Sequence, residues 1–280
     1  MKRMLIAQRQ LGFTLIELLV AMGIFLLITG AAFALLSSSQ QRYQTESQVL
    51  ASFQEARLGL DQMVRDINDS GYPPPTFFSA TSPLMSASSP FAWSPGYPTT
   101  PCQIVIGAGG NCTTASGDTS PGDFDLIIET NPNPQDPTCV PNCVQWIRYQ
   151  LQGTILMRAM IPKAIAADPD ATTSGAGVLV PFVQNVVNNA SAAQIAQYQI
   201  TYPNMFPTGP VPIFSYTCDT PTVPQYPAPL CASAGVDNSP ANIRDVTITL
   251  IVATPLPDAT TGVPRLVQLS GRGRRVNPNH

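Results

Sequence analysis

Near the amino terminus, Gly12-Phe13-Thr14-Leu15-Ile16-Glu17 sets a glycine against a bulky residue and places one carboxylate inside an apolar run. Glycine has no Cβ, so the backbone at Gly12 is open to close approach. Phe13 and Glu17, four apart, share a helix face. Glu17 is the only charge between Phe13 and Leu36. An acid at the centre of a membrane helix costs ~2.5–3.5 kcal/mol. A bare anchor has no reason to carry that penalty.

The other residues capable of chemistry lie further along the chain. Cys102, Cys112, Cys139, Cys143, Cys218 and Cys231 all follow the apolar run. Lys2, Arg3 and Arg9 precede it and put the N-terminus in the cytoplasm by the positive-inside rule. The cysteines then face an oxidising compartment, where disulfides are the leading reading. Sequence proximity favours Cys102–Cys112, Cys139–Cys143 and Cys218–Cys231. Exchange of the middle pair with Cys102 or Cys112 stays open, because so short a loop must bring two Cα atoms within ~7 Å. Zinc is the rival, but the sole histidine is His280 and no CxxC pair exists.

Between Arg65 and Arg148 stand seven acids and no base: Asp66, Asp69, Asp118, Asp123, Asp125, Glu129 and Asp136. Asp118, Asp123 and Asp125 are weak calcium candidates, since calcium takes carboxylate and carbonyl oxygens. Their spacing fits no EF-hand, so a solvated acidic surface is the preferred reading and no metal is expected. Arg265, Arg272, Arg274 and Arg275 cluster near the other end. They suit DNA phosphates, an acidic face of another molecule, or a solvated strand. A net charge of -3 and a pI near 5.0 argue against nucleic acid as the partner. Catalysis finds no foothold: a terminal histidine excludes an ordinary triad, and no phosphate-binding, dinucleotide or zincin motif is present. The chain reads as no enzyme and needs no cofactor.

The elements that position these residues follow from composition. Only 11% of residues are charged, and all 29 prolines lie after Tyr72. A proline-free rod is thus joined to a proline-rich, cysteine-bearing body. A helix over 13–36 reaches ~36 Å, enough for a ~30 Å hydrocarbon core. A secretory signal peptide would have a shorter apolar stretch and a small-residue cleavage site. Val49, Phe53, Ala56, Leu60, Met63 and Ile67 extend the rod as an amphipathic stripe. Too few clean heptads follow for a coiled coil, so packing on a sheet is expected. Gly71 and Pro73-Pro74-Pro75 stop the helix near Asp69.

Beyond it, strands are expected at Phe124–Glu129, Val144–Leu151, Thr154–Ile161, Val178–Val183, Tyr198–Tyr202, Asp245–Ala253 and Arg265–Ser270. Gln152-Gly153 reads as a hairpin turn. Val246, Ile248, Leu250 and Val252 alternate cleanly, which points one face at the helix. The stretches 73–143 and 203–240 read as long loops.

The string GFTLIE, behind a basic leader and ahead of an apolar helix, resembles the prepilin signature of type IV pilins and type II secretion pseudopilins. The resemblance implies cleavage between Gly12 and Phe13 by a membrane-embedded prepilin peptidase. It also implies N-methylation at Phe13 and an assembly contact from Glu17 to a neighbouring subunit's terminal amine. The implied fold is α+β: a long N-terminal transmembrane and amphipathic helix packed on an antiparallel β-sheet, the pilin fold, to which this chain's own cysteines add disulfide-stapled loops. Its divisions are a leader at 1–12, a membrane or filament-core helix at 13–36, its amphipathic continuation at 37–70 and a β-rich head at 71–280.

Leu60-Asp61-Gln62-Met63-Val64-Arg65-Asp66-Ile67 with Gly71-Tyr72, then Leu156-Met157-Arg158, Val180–Val186, Tyr198–Tyr202 and Ile243–Leu250, are similar in kind and order to PilW-type minor pilins. J-type minor pseudopilins of type II secretion share much of this layout. The long loops and six cysteines depart from both, so no binding property carries over to them. The resemblance implies a minor pilin that initiates or tips a type IV pilus. Its implied partners are other minor and major pilins, prepilin peptidase, the inner-membrane assembly platform and membrane lipid. It would sit in the inner membrane with its head in the periplasm, then on the pilus. The alternatives are a type II minor pseudopilin and a tip adhesin or DNA-uptake pilin.

Overall fold

The computed structural model describes residues 14–74, 87, 90–91, 122–133, 144–163, 178–219, 227–231, 233, 242–258 and 261–275. Gly12, Phe13, Cys102, Cys112, Asp118, Asp136, Cys139 and Cys143 lie outside these residues, as does most of the expected loop over 73–143. Two units form, 1–47 and 48–280.

One helix, α1 (Leu15–Asn68), begins in the first unit and ends in the second. It contains no proline and only three glycines, so nothing interrupts its hydrogen-bond ladder. In the first unit its large apolar side chains are exposed, from Leu15 at 80% to Leu36 at 54%. This segment is long and apolar enough to cross a membrane once. In the second unit the stripe turns inward, and Ala56, Leu60, Met63 and Ile67 are buried.

Two antiparallel sheets receive that stripe. The first holds β1 (Asp125–Thr130), β2 (Gln145–Gln152), β3 (Ile155–Pro162) and β4 (Val180–Val183) in sequential order. The second holds β5 (Phe214–Cys218), β6 (Ile243–Pro257) and β7 (Pro264–Arg274). Gly153, at φ 60°, makes the expected β2–β3 turn. Leu126, Ile128, Ile147, Tyr149 and Leu156 from the first sheet share one core with Val246, Ile248, Leu250 and Val252 from the second and with the helix stripe. The alternation in β6 thus points at α1, as its period of two predicts.

The sheets meet where 185–187 runs beside β6. Val187 N donates to Ile251 O at 2.8 Å and Ala253 N to Asn185 O at 2.9 Å. Buried Asn188 completes this seam. Its Nδ2 donates to Val211 O and Thr249 O, and its Oδ1 accepts from Ile251 N at 2.7 Å. One amide side chain thus satisfies two backbone carbonyls and one backbone N–H in the interior.

Two expectations are corrected. Tyr198–Tyr202 is not a strand: it lies at the end of a helix, α2 (Ala192–Thr201), and at its C-cap. A reciprocal capping box, Ser191 with Gln194, starts this helix. Ile195 and Tyr198, three apart, then bury one face on the side of β6 and β7 that α1 leaves open, beside Ile251, Ala253 and Leu266. The stretch 203–240 is not wholly loop, because β5 forms within it. Phe214, Tyr216 and Cys218 point into the core, so three of five positions offset the loss of chain freedom. Cys218 and Cys231 are disulfide-bonded, with Cα atoms 5.0 Å apart, as sequence proximity favoured.

Contact between α1 and β7 depends on absent side chains. A Cβ on Gly273 would lie 2.5 Å from Ile67 Cγ2, and one on Gly271 would lie 2.9 Å from Leu60 Cδ1. Gly271-Arg272-Gly273 therefore admits the helix while its arginine faces away. Gly273→Ala is expected to destabilise the head by about 1–3 kcal/mol through overpacking. Ser270→Ala, on the exposed side of the same strand, is expected to stay within ~0.5 kcal/mol. Denaturant titration followed by tryptophan fluorescence checks the pair.

Candidate functional site

The first candidate region is the start of α1. Thr14 N and Oγ1 donate to Glu17 Oε2 at 2.9 and 2.8 Å, and Glu17 N donates to Thr14 Oγ1 at 3.4 Å. Thr14-x-x-Glu17 is a capping box, a pattern readable in the sequence in addition to its charge. The carboxylate thus satisfies the Thr14 N–H, and the Thr14 hydroxyl the Glu17 N–H, two of the groups a helix start leaves open. Glu17 can cap its own helix and still present its second oxygen to another group.

The second region ties α1 to the head. Asp66 is 5% exposed, and a buried carboxylate needs partners to offset lost hydration. Three side chains supply them. Tyr149 Oη donates to Oδ2 at 2.5 Å, Arg158 Nη2 donates to the same oxygen at 3.1 Å, and Gln62 Nε2 donates to Oδ1 at 2.8 Å. Burial first, and then the Asp66 charge, push the Tyr149 phenol well above its ordinary range, which keeps it a donor. The Arg158 guanidinium also donates to Tyr149 Oη at 3.0 Å and lies 5.7 Å from the ring centroid.

Further bonds surround this anchor. Glu55 Oε1 accepts from Gln184 N at 2.8 Å beyond β4, and Asn68 Oδ1 accepts from Arg274 N at 2.8 Å on β7. Asp69 O accepts from Thr130 Oγ1 at 2.6 Å on β1. Past the helix, Gly71, at φ 80°, donates its N–H to Glu129 O at 2.8 Å. Burial and the Asp66 charge together raise the Asp69 carboxyl above its usual range.

Of the acids after Arg65 that the structure describes, Asp66, Asp125 and Glu129 are buried rather than part of the solvated surface expected, while Asp123 is exposed. Besides Asp66, Asp125 is buried and accepts from Arg148 Nε at 3.0 Å and Nη2 at 2.6 Å, and from Gln150 at 2.9 Å. Burial raises its carboxyl and these donors pull it back. Glu129 pairs with Lys163, both at 0% exposure. The cause is topological: Arg148 arrives from the neighbouring β2 and Lys163 from the residue after β3, both distant in sequence but brought near by the sheet. Partial desolvation also raises Asp123, one of the calcium candidates. Among the described residues no group of three His, Cys, Asp or Glu gathers as for a metal. Of the arginine cluster, Arg265 pairs with Asp258 and Arg272 with buried Asp245, each at 2.6 Å, while Arg275 is itself buried.

Residues 7–33 match the protein family described as the prokaryotic N-terminal methylation motif. The match spans Gly12, Phe13 and Glu17. Searches of curated proteins and of solved structures return no significant match. The chain carries a prepilin-like methylation motif, consistent with a type-IV-pilin-like family, and that motif implies processing by a prepilin peptidase.

Sequence reading left Asp66 in a motif without a partner. Tyr149 and Arg158 were legible as strand residues, but only register joins them across β2 and β3, where they stand opposite each other. Removing the phenol oxygen in Tyr149→Phe leaves a buried carboxylate one donor short. The expected loss is ~1–3 kcal/mol. A double-mutant cycle with Asp66→Ala, read by denaturant midpoint, is expected to show coupling of at least ~0.5 kcal/mol.

Proposed function

We propose that this protein is a structural subunit of a type-IV-pilin-like filament, a minor pilin of the PilW type. One observation carries the reading: the methylation motif at 7–33 runs into a single helix, α1, which is apolar and uncovered at first and later becomes part of a β-sheet head's core. Such a helix suits a subunit stored in a membrane and then packed among the helices of others. Prepilin peptidase cuts between Gly12 and Phe13, and Phe13 is N-methylated. Glu17 meets the terminal amine of a neighbouring subunit while remaining tied to Thr14.

In this reading residues 13–36 hold the subunit in the inner membrane, with the leader cytoplasmic and the head periplasmic. The assembly platform then extracts it into the filament. Its partners are major and other minor pilins, and it acts at the tip or in the priming complex, a reading that its bulky head supports. The paired arginines and net negative charge support protein partners over nucleic acid.

Intact-mass and terminal-peptide analysis of the chain from cells with active peptidase is expected to show methylated Phe13 as the first residue. An unprocessed chain would sink the proposal. Gly12→Glu is expected to retain residues 1–12 and to abolish incorporation into sheared filaments. Loss of the gene is expected to reduce surface pili while protein secretion continues; the reverse pattern would instead mark a type II pseudopilin.

A further inference from the structure

The face of the first sheet opposite α1 carries chemistry that filament assembly does not use. Register places side chains in rows on it. Glu129 of β1 stands opposite Trp146 of β2, which stands opposite Ile161 of β3. One row further, Lys163 N donates to Val144 O at 2.8 Å, and Asn131, one residue past the end of β1 and two after Glu129, continues the face of Glu129. Asn131 is 8% exposed. Lys163 and Glu129 are both 0% exposed, and Nζ stands 2.5 Å from Glu129 Oε1. An ordinary charge-assisted N–O contact is ~2.7–2.9 Å. The Lys163 amine has thus crossed the middle strand and lies beside β1. On this face the indole N–H of Trp146, itself 2% exposed, has no hydrogen-bond partner among the described residues.

We propose that these four residues form a self-catalysed amide cross-link between Lys163 and Asn131. Glu129 accepts a proton from the Lys163 ammonium across their contact, leaving an uncharged amine. The Nζ lone pair attacks Cγ of Asn131, and the carbonyl electrons move onto Oδ1. The unpartnered Trp146 N–H and the backbone N–H of Asn133, which donates to Asn131 Oδ1 at 3.0 Å, hold the resulting charge. A second proton then passes from Nζ, through Glu129, to the amide nitrogen. The carbonyl re-forms, the Cγ–Nδ2 bond breaks and ammonia leaves. Glu129 ends protonated and neutral in its buried site. The step consumes no oxidant, metal or co-reactant. The product joins the end of β1 to the end of β3 across the sheet to which α1 is anchored, where tension on the helix is delivered.

Peptide mapping of the reduced, denatured full-length protein tests this without regard to how any variant folds. A branched peptide joining Lys163 to Asn131, lighter than its two parts by one ammonia, is expected. Asn131→Ala and Glu129→Gln are expected to give linear peptides only. Asn131→Asp is expected to keep the branch with loss of one water instead. Linear peptides from the unsubstituted protein would overturn the proposal, as would a branch at Glu129 with loss of water. A branch that persists in Glu129→Gln would overturn the role given to that carboxylate.

Discussion

One helix has to satisfy two different surroundings with a single unbroken backbone. A helix can do this because its hydrogen bonds are internal, so its ends can sit in different media without any change in backbone pairing. Only the side chains change along α1. Leucines, isoleucines and phenylalanines cover every face of its first part, whereas its later part confines them to the stripe through Ala56, Leu60, Met63 and Ile67. That stripe organises the head. Two sheets turn their apolar faces toward it, β7 gives up side chains at Gly271 and Gly273 to let it approach, and Asn188 closes the seam between the sheets behind it.

An apolar stripe alone would tolerate sliding, since hydrophobic contact has little direction. The polar groups at the junction remove that freedom. Asp66 meets Tyr149 and Arg158 at only one rotation and height of the helix, and any other setting leaves a buried carboxylate without donors. A paired buried charge contributes little net stability against a well-packed apolar replacement. Its larger effect is the penalty, several kcal/mol, on arrangements that separate the partners. The registry between this part of the helix and the sheets is thereby fixed.

Much of this was legible in the residues. The apolar span, the amphipathic continuation, the stop at Gly71, the alternation in β6 and the Gly153 turn each depend on neighbours in sequence. Local periodicity and turn chemistry therefore expose them. The methylation motif is equally local, because a processing enzyme reads a short stretch of chain. Misreadings arose where a short segment supports two periods. Tyr198–Tyr202 alternates like a strand, but the capping box at Ser191 and Gln194 had already committed the chain to a helix. β5 lay hidden among prolines because five residues carry little pattern, and pairing with β6 stabilises them.

The charges divide most sharply between the two levels. The sequence by itself determined that acids accumulate after Arg65 and that arginines gather near the end. Only the tertiary structure decided that Asp66, Asp125 and Glu129 are interior groups, each facing a cation or donor from another strand. The reason is physical. A carboxylate's hydration, partners and protonation depend on what lies within a few ångströms in space, and strand pairing brings together residues that no spacing along the chain connects. The membrane-length helix needed no such help, because its apolarity and its hydrogen bonds are both local.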